Sequence, residues 1–270
     1  MDWTNESMVI LILNLGKTGL QDDYNFEHAI RLLPLPEQAN ILKKKFRNDQ
    51  IKHLCNKLLQ YFGCLIMVNH YDDRKLGELK FARDKFGKPV LQADNLNISF
   101  SMSNGEEYVC MYIWNHENDL LDYEVGIDIA SINDLRCKEE LELYTDIFTK
   151  EEYRTLYDCS KDEIQKLFAH YWSLKESYAK YLGIGLNIDL KKVDIGSIEK
   201  DQLKISKYIA GNLIEFQTFW IQPKRQEVIS ICYNRSSLSE KAKNNDKCED
   251  CIPTIVEISF KELIHYLKPR

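Results

Sequence analysis

Several features are missing from this 270-residue chain, and each absence narrows what it does. No apolar run reaches the roughly 20 residues that a bilayer-spanning helix needs. The N-terminal run Met8–Leu13 is far too short, so no membrane span is expected. No basic region precedes that run, so no secretory signal is expected either. The eight cysteines are therefore read as free thiols in a reducing, cytoplasmic setting. Basic charge is not in excess: 36 Lys and Arg face 42 Asp and Glu, a net charge of −6. Such a chain is not built for broad nucleic-acid binding, which rewards a basic surface. Cys248-Glu-Asp-Cys251 has no second pair or histidines at ligand spacing, so it is read as incidental to a polar loop rather than as a zinc site. Gly16-Lys17-Thr18 suggests a P-loop, but Leu11 stands where that pattern requires glycine, which sets a nucleotide hydrolase aside.

What is present reads as two similar halves. In the first, Met8–Leu13 is a buried strand, Leu35–Gly63 is helical with Gly63 as its C-cap, and Asn97–Trp114 is strand-like with a turn at Asn104-Gly105. The acidic stretch His116–Asp122 marks a boundary, giving halves of 1–121 and 122–270. In the second half, Val125–Ala130 is a strand and Asp162–Leu182 a long helix closing at Gly183. Strand-like runs follow at Leu203–Ile209, Ile214–Ile221 and Val228–Tyr233. Both helices end in two bulky apolar residues and a glycine, Tyr61-Phe62-Gly63 and Tyr181-Leu182-Gly183. The expected fold is α+β: a pseudo-dimer in which each half packs a long helix on a small antiparallel sheet. Ser236–Asp250 reads as a polar loop, and Thr254–Leu267 as a closing strand and short helix.

Three segments can carry chemistry. In Val125-Gly-Ile-Asp-Ile-Ala130, alternation puts Gly126, Asp128 and Ala130 on one face. Two small neighbours leave space before the Asp128 carboxylate, which is either an acid on a wet strand end or a metal ligand or base. On the long helix, Leu167, Tyr171, Leu174, Tyr178 and Tyr181 form a core stripe, with Trp172, Glu176 and Lys180 opposite. That second stripe is either a solvated face, its Glu–Lys pair contributing roughly 0.2–0.5 kcal/mol, or a functional one; a tryptophan in line weighs against solvation. In Arg83-Asp-Lys-Phe-Gly-Lys-Pro89, Gly87 permits close backbone approach and Lys88 offers a point charge suited to phosphate, although such a segment is also an ordinary turn. A basic cluster, Lys43, Lys44, Lys45, Arg47, Lys52 and Lys57, is a further place for a small phosphorylated ligand.

Taken in order, Phe86-Gly-Lys-Pro89, Asn97-Ile-Ser99, Val125-Gly-Ile-Asp-Ile129, Phe148-Thr-Lys-Glu-Glu-Tyr153, Trp172-Ser-Leu-Lys-Glu-Ser-Tyr-Ala-Lys180 and Gly183-Ile-Gly-Leu186 resemble the phosphopantetheinyl transferase superfamily. The chain is most similar to the larger, pseudo-dimeric type, which includes the fungal enzymes serving α-aminoadipate reductase. The resemblance implies transfer of 4′-phosphopantetheine from coenzyme A to a serine of an apo-carrier protein, in lysine biosynthesis if the acceptor is that reductase, by a cytoplasmic monomer. It implies that Asp128 and Glu176 hold magnesium and that Lys180 contacts the coenzyme A diphosphate. Arg83, Lys88, Asn97 and Ser99 match coenzyme-binding positions, and Phe148–Tyr153 matches a segment bordering the carrier-docking surface. Two departures stand out. Phe100 replaces a histidine that often follows the Asn-Ile-Ser segment, and Ala130 replaces a third acid, so that water or a substrate oxygen must complete the magnesium shell. These departures also keep open a non-catalytic coenzyme A or carrier-binding protein of the same fold. Glu176, directly or through a water, is the candidate base for the serine proton.

Overall fold

The computed structural model describes residues 6, 8–69, 76–92, 97–115, 124–161, 163–199, 202–224, 226–234 and 253–268. The boundary segment at His116–Asp122, the Ser236–Asp250 loop and the Cys248–Cys251 pair lie outside the described residues. In chain order the elements are β1 (Met8–Asn14), α1 (Asp23–Ile30), α2 (Leu35–Leu42), α3 (Arg47–Asn69), β2 (Lys80–Arg83), β3 (Pro89–Gln92), β4 (Ile98–Asn104), β5 (Tyr108–Asn115) and β6 (Val125–Ser131). There follow α4 (Lys150–Asp158), α5 (Ile164–Tyr181), β7 (Lys204–Ile209), β8 (Asn212–Trp220), β9 (Glu227–Asn234), β10 (Thr254–Glu257) and α6 (Phe260–Leu267). The α+β expectation holds, with two compact units that each set a long helix against a four-stranded sheet.

The first unit comprises Met1–Asp84, Pro89–Leu120 and Glu249–Arg270. Its sheet runs β10-β1-β5-β4, with β2 and β3 as a separate hairpin. The β4–β5 turn falls where Asn104-Gly105 predicts it. Three expectations change here. The predicted Leu35–Gly63 helix is two helices, broken within the lysine run; the Gln50 side chain donates to the Lys44 carbonyl that the break frees (2.9 Å). Gly63 is no C-cap but sits inside α3. A Cβ there would lie 2.6 Å from Met111 Sδ and 3.1 Å from Leu11 Cδ1, so the missing side chain lets the helix approach β1 and β5. The expected second half, 122–270, also loses its end. β10 pairs in parallel with β1, and Leu263 and Leu267 of α6 enter the first core, because β1 offers a free edge and α6 an apolar face.

The second unit comprises Lys85–Lys88 and Leu121–Cys248, with sheet order β6-β9-β8-β7, antiparallel throughout. The sequence places these strands and α5 closely, because β-branched runs and a clear helical period mark them. Gly183 ends α5 in the left-handed region at φ +70°, where glycine carries no steric cost. α4 begins with a capping box in which Thr149 and Glu152 satisfy each other's backbone N–H groups.

Candidate functional site

The site is built where α5 crosses β6. The pleat puts Gly126, Asp128 and Ala130 toward the helix, as alternation predicts, but the small residues do not leave open space. A Cβ on Gly126 would lie 1.9 Å from Ser177 O and 2.6 Å from Tyr181 N, so helix backbone fills that place. Ala130 is buried with Ala169 and Val228, with Trp172 and Trp220 packed against them. The position of the absent third acid is thus an apolar wall. Asp128 is 6% exposed, and Lys180 Nζ donates to its Oδ1 at 2.7 Å.

Trp172, Glu176 and Lys180 form the one stripe in the C-terminal half of α5 that keeps partial exposure over Asp128. The expected core stripe is correct for Tyr171, Leu174 and Tyr178, whereas Leu167 and Tyr181 are only partly covered. Trp172 is packed rather than solvated: it stacks on Phe168 at 5.9 Å and meets Tyr144 edge-on at 5.6 Å. Burial is the main cause that raises the Glu176 pKa, the Asp128 charge adds to it, and Lys180 opposes both. Its Oε1 is buried with no hydrogen-bond partner. A buried polar atom without a partner is costly. One beside a second carboxylate is suited to a hard cation, and magnesium binds through one or two carboxylates together with phosphate and water oxygens. Among the described residues no group of three or more His, Cys, Asp or Glu stands as a ready metal cage. The residues present therefore fit magnesium as a pair of carboxylates, not as a closed site.

The other expected residues are distributed differently. Lys88 belongs to the second unit, where it pairs with Glu124 and donates to Val125 O at 3.1 Å, at the start of β6. Arg83, Asn97 and Ser99 belong to the first unit. Phe100 is buried there, edge-on to Phe81, which in turn meets Tyr61; the aromatic side chain is core packing. The basic cluster is partly committed: Arg47 pairs with Asp23 and lies 3.7 Å over the Phe26 ring, and Lys57 pairs with Glu37. In Phe148–Tyr153, Phe148 and Glu152 are buried, and Glu151 is exposed.

Sequence reasoning missed Lys175. Its side chain and that of Glu152 are both 0% exposed, and they pair at 2.8 Å. Lys175 also donates to the carbonyls of Leu190 and Val193, while Glu152 accepts from Ile195 N. Burial lowers the Lys175 pKa, and Glu152 works against that. The pair ties α4 and the 190–195 segment to the residue preceding Glu176. Its signal was available: on the helical wheel Lys175 lies beside Tyr171 and Tyr178, inside the apolar stripe.

Comparison with known proteins bears on this arrangement. Residues 124–232 match the family model described as the 4′-phosphopantetheinyl transferase superfamily, and residues 21–113 match that of the 4′-phosphopantetheinyl transferase N-terminal region. The chain is 35% identical over 260 residues to the L-aminoadipate-semialdehyde dehydrogenase-phosphopantetheinyl transferase of Saccharomyces cerevisiae, covering 95% of this chain and 89% of the yeast protein. It is 34% identical over 229 residues to the protein of the same name from Candida glabrata, covering 84% and 83%. The 4′-phosphopantetheinyl transferase Sfp of Bacillus subtilis is 28% identical over 190 residues, covering 69% and 71%.

Proposed function

The chain belongs to the 4′-phosphopantetheinyl transferase superfamily and is a phosphopantetheinyl transferase, and on that premise we propose that its acceptor is the carrier domain of L-aminoadipate-semialdehyde dehydrogenase (α-aminoadipate reductase), with Asp128 and Glu176 holding magnesium. The acceptor is supported by likeness to the yeast relatives over most of the chain. The site reading rests on one observation: the unpartnered, buried Glu176 Oε1 beside Asp128 and under Lys180. The free thiols of Cys55, Cys64, Cys110, Cys137, Cys159 and Cys232 suit the cytoplasm to which we assign the enzyme, as a monomer.

In this mechanism the carrier serine Oγ attacks the pantetheine-side phosphorus of the coenzyme A diphosphate. The bond from that phosphorus to the leaving 3′,5′-ADP breaks. Such a reaction needs positioning and charge neutralisation more than covalent help. Asp128 and Glu176 would hold magnesium, which would supply neutralisation of the diphosphate charge when bound. Glu176 takes the serine proton directly or through a water. Lys180, placed on Asp128, stabilises charge that develops on the diphosphate. Arg83, Lys88, Asn97 and Ser99 are retained as coenzyme A contacts; for Lys88 this requires exchanging Glu124 for a phosphate oxygen.

The test is incubation of the protein with coenzyme A, magnesium and a panel of apo-carrier domains, read by intact mass. Addition of one phosphopantetheine arm, fastest on the aminoadipate reductase carrier, is expected. Transfer that favours another carrier contradicts the acceptor, and binding without a mass change identifies a non-catalytic module.

A further inference from the structure

The seam between α5 and β6 has little to fix its register. α5 presents Ala169, Ser173 and Ser177, one helical turn apart, to a strand face of Gly126, Asp128 and Ala130. Helices normally resist sliding because bulky side chains seat between ridges. Here the helix backbone rests on bare glycine, and alanine lies against alanine. Against β6 itself, a slide of about one ångström, enough to carry Glu176 and Lys180 off Asp128, would meet little steric opposition; the bulky Tyr171, Leu174 and Tyr178 and the Lys175–Glu152 pair anchor the helix on its other side.

A closed circuit of hydrogen bonds runs behind this seam. Ser230 is the β9 partner of Asp128 in the ladder, and Thr218 is the β8 partner of Ser230, so the three form a row across the sheet. From α5, Ser173 Oγ donates to His170 O at 3.0 Å and lies 2.7 Å from Ser230 Oγ. Ser230 Oγ lies 3.2 Å from Thr218 Oγ1, which lies 3.0 Å from His170 Nε2. All four side chains are buried.

Each hydroxyl has one proton, and that fixes every direction. The carbonyl of His170 only accepts, so the Ser173 proton is committed to it. Ser230 must then donate to Ser173, and Thr218 to Ser230. Thr218 Oγ1 is left as an acceptor, so His170 donates to it from Nε2–H. The circuit begins and ends on His170 with every proton pointing the same way round. Aligned chains of this kind strengthen one another in a low-dielectric interior, and an incomplete one is costly. Burial that pushes His170 down to about 4 agrees with a neutral ring.

We propose that His170, Ser173, Thr218 and Ser230 are positioning residues: their hydrogen-bond circuit keys α5 to β8 and β9 and thereby holds Glu176 and Lys180 over Asp128, where the small-residue seam cannot. The inference rests on the transfer reaction proposed above for its kinetic consequence, and on the circuit's geometry for its chemistry.

Two measurements test it. The first is the ¹⁵N spectrum of the wild-type protein labelled at histidine, which needs no activity. The neutral Nε2–H tautomer of His170 is expected; a proton on Nδ1 overturns the circuit. The second is kinetic. Thr218→Val keeps the volume and removes the link, so kcat falls about 10–100-fold, as misplacement near one ångström does. The KM for coenzyme A stays within about twofold, because ground-state contacts are untouched. Thr218→Ser restores the hydroxyl and the rate. If Thr218→Val does not fold, Ser173→Ala opens the circuit at its helix end without added bulk and is read by the same split. A folded variant with wild-type kcat overturns the positioning role. A wild-type protein that shows the Nε2–H tautomer but transfers nothing leaves the circuit standing and removes the transfer reading and with it the positioning role.

Discussion

The two units solve one packing problem from opposite sides. In each, a long helix must lie close on a sheet, and in each a glycine permits it. In the first unit the glycine is on the helix: Gly63 makes room for Met111 and Leu11, and the seam is apolar. In the second the glycine is on the strand: Gly126 receives the backbone of α5, and the seam contains Asp128, Ser173, Thr218 and Ser230. An apolar seam gains from every buried methylene and is held in place by the fit of its side chains alone. A polar seam gains less but is directional, so it specifies where the helix lies. The first arrangement suits a supporting core, the second a site in which two carboxylates and a lysine must meet.

Breaking the second seam's support is expected to have the largest effect. Lys175→Met leaves Glu152 charged and buried, which costs about 3–5 kcal/mol. Combining it with Glu152→Leu removes the buried charge and recovers part of that loss in urea unfolding, the remainder being the Thr149 and Ile195 N–H groups that Glu152 no longer accepts from. Equal destabilisation by the single and double changes would show that the pair does not act as one unit.

Gly126→Ala comes next. The added methyl meets backbone rather than a movable side chain, so α5 must shift, and a loss of at least about 3 kcal/mol is expected together with loss of transfer. A thermal melt within a degree or two of wild type would mean that the helix has room there.

The polar seam also has an acid limit that the apolar one lacks. The native pKa of His170, about 4, lies below its ordinary 6.5, so the unfolded chain binds a proton first. The stabilisation is therefore complete above pH 6.5 and lost as pH falls through 4, amounting to about 3 kcal/mol across 2.5 units. Denaturant titrations between pH 7 and 4 should show this slope in the wild type and not in His170→Gln. Parallel curves would place the acid sensitivity elsewhere.

The smallest effect belongs to the first seam. At Gly63 an added methyl presses on the flexible end of Met111, and the gain in helix propensity offsets roughly 1 kcal/mol of crowding. Gly63→Ala should stay within about 1 kcal/mol of wild type. A loss as large as that of Gly126→Ala would erase the distinction between the two seams.

The residues that meet at the site were legible in the sequence because they are local. Glu176 and Lys180 are four apart on one helix, and Asp128 interrupts a β-branched strand. The Tyr-Leu-Gly ending was correct for α5, but the Tyr-Phe-Gly ending misled for α3, because a glycine inside a helix and one beyond it look alike until the partner across the seam is known. Ala130 and Gly126 suggested space where the structure shows close contact, for the same reason. The β1–β10 pairing and the His170 circuit join residues far apart in the chain, and no local period announces either.

α5 carries a reacting face above Asp128, and Glu176→Gln puts that face to the test. The amide is nearly isosteric but has no charge for magnesium or for the serine proton. Transfer of phosphopantetheine to the apo-carrier, followed by intact mass, should be almost abolished while the thermal melt stays unchanged. A Glu176→Gln protein that transfers at the wild-type rate, or one that unfolds early, would contradict the account.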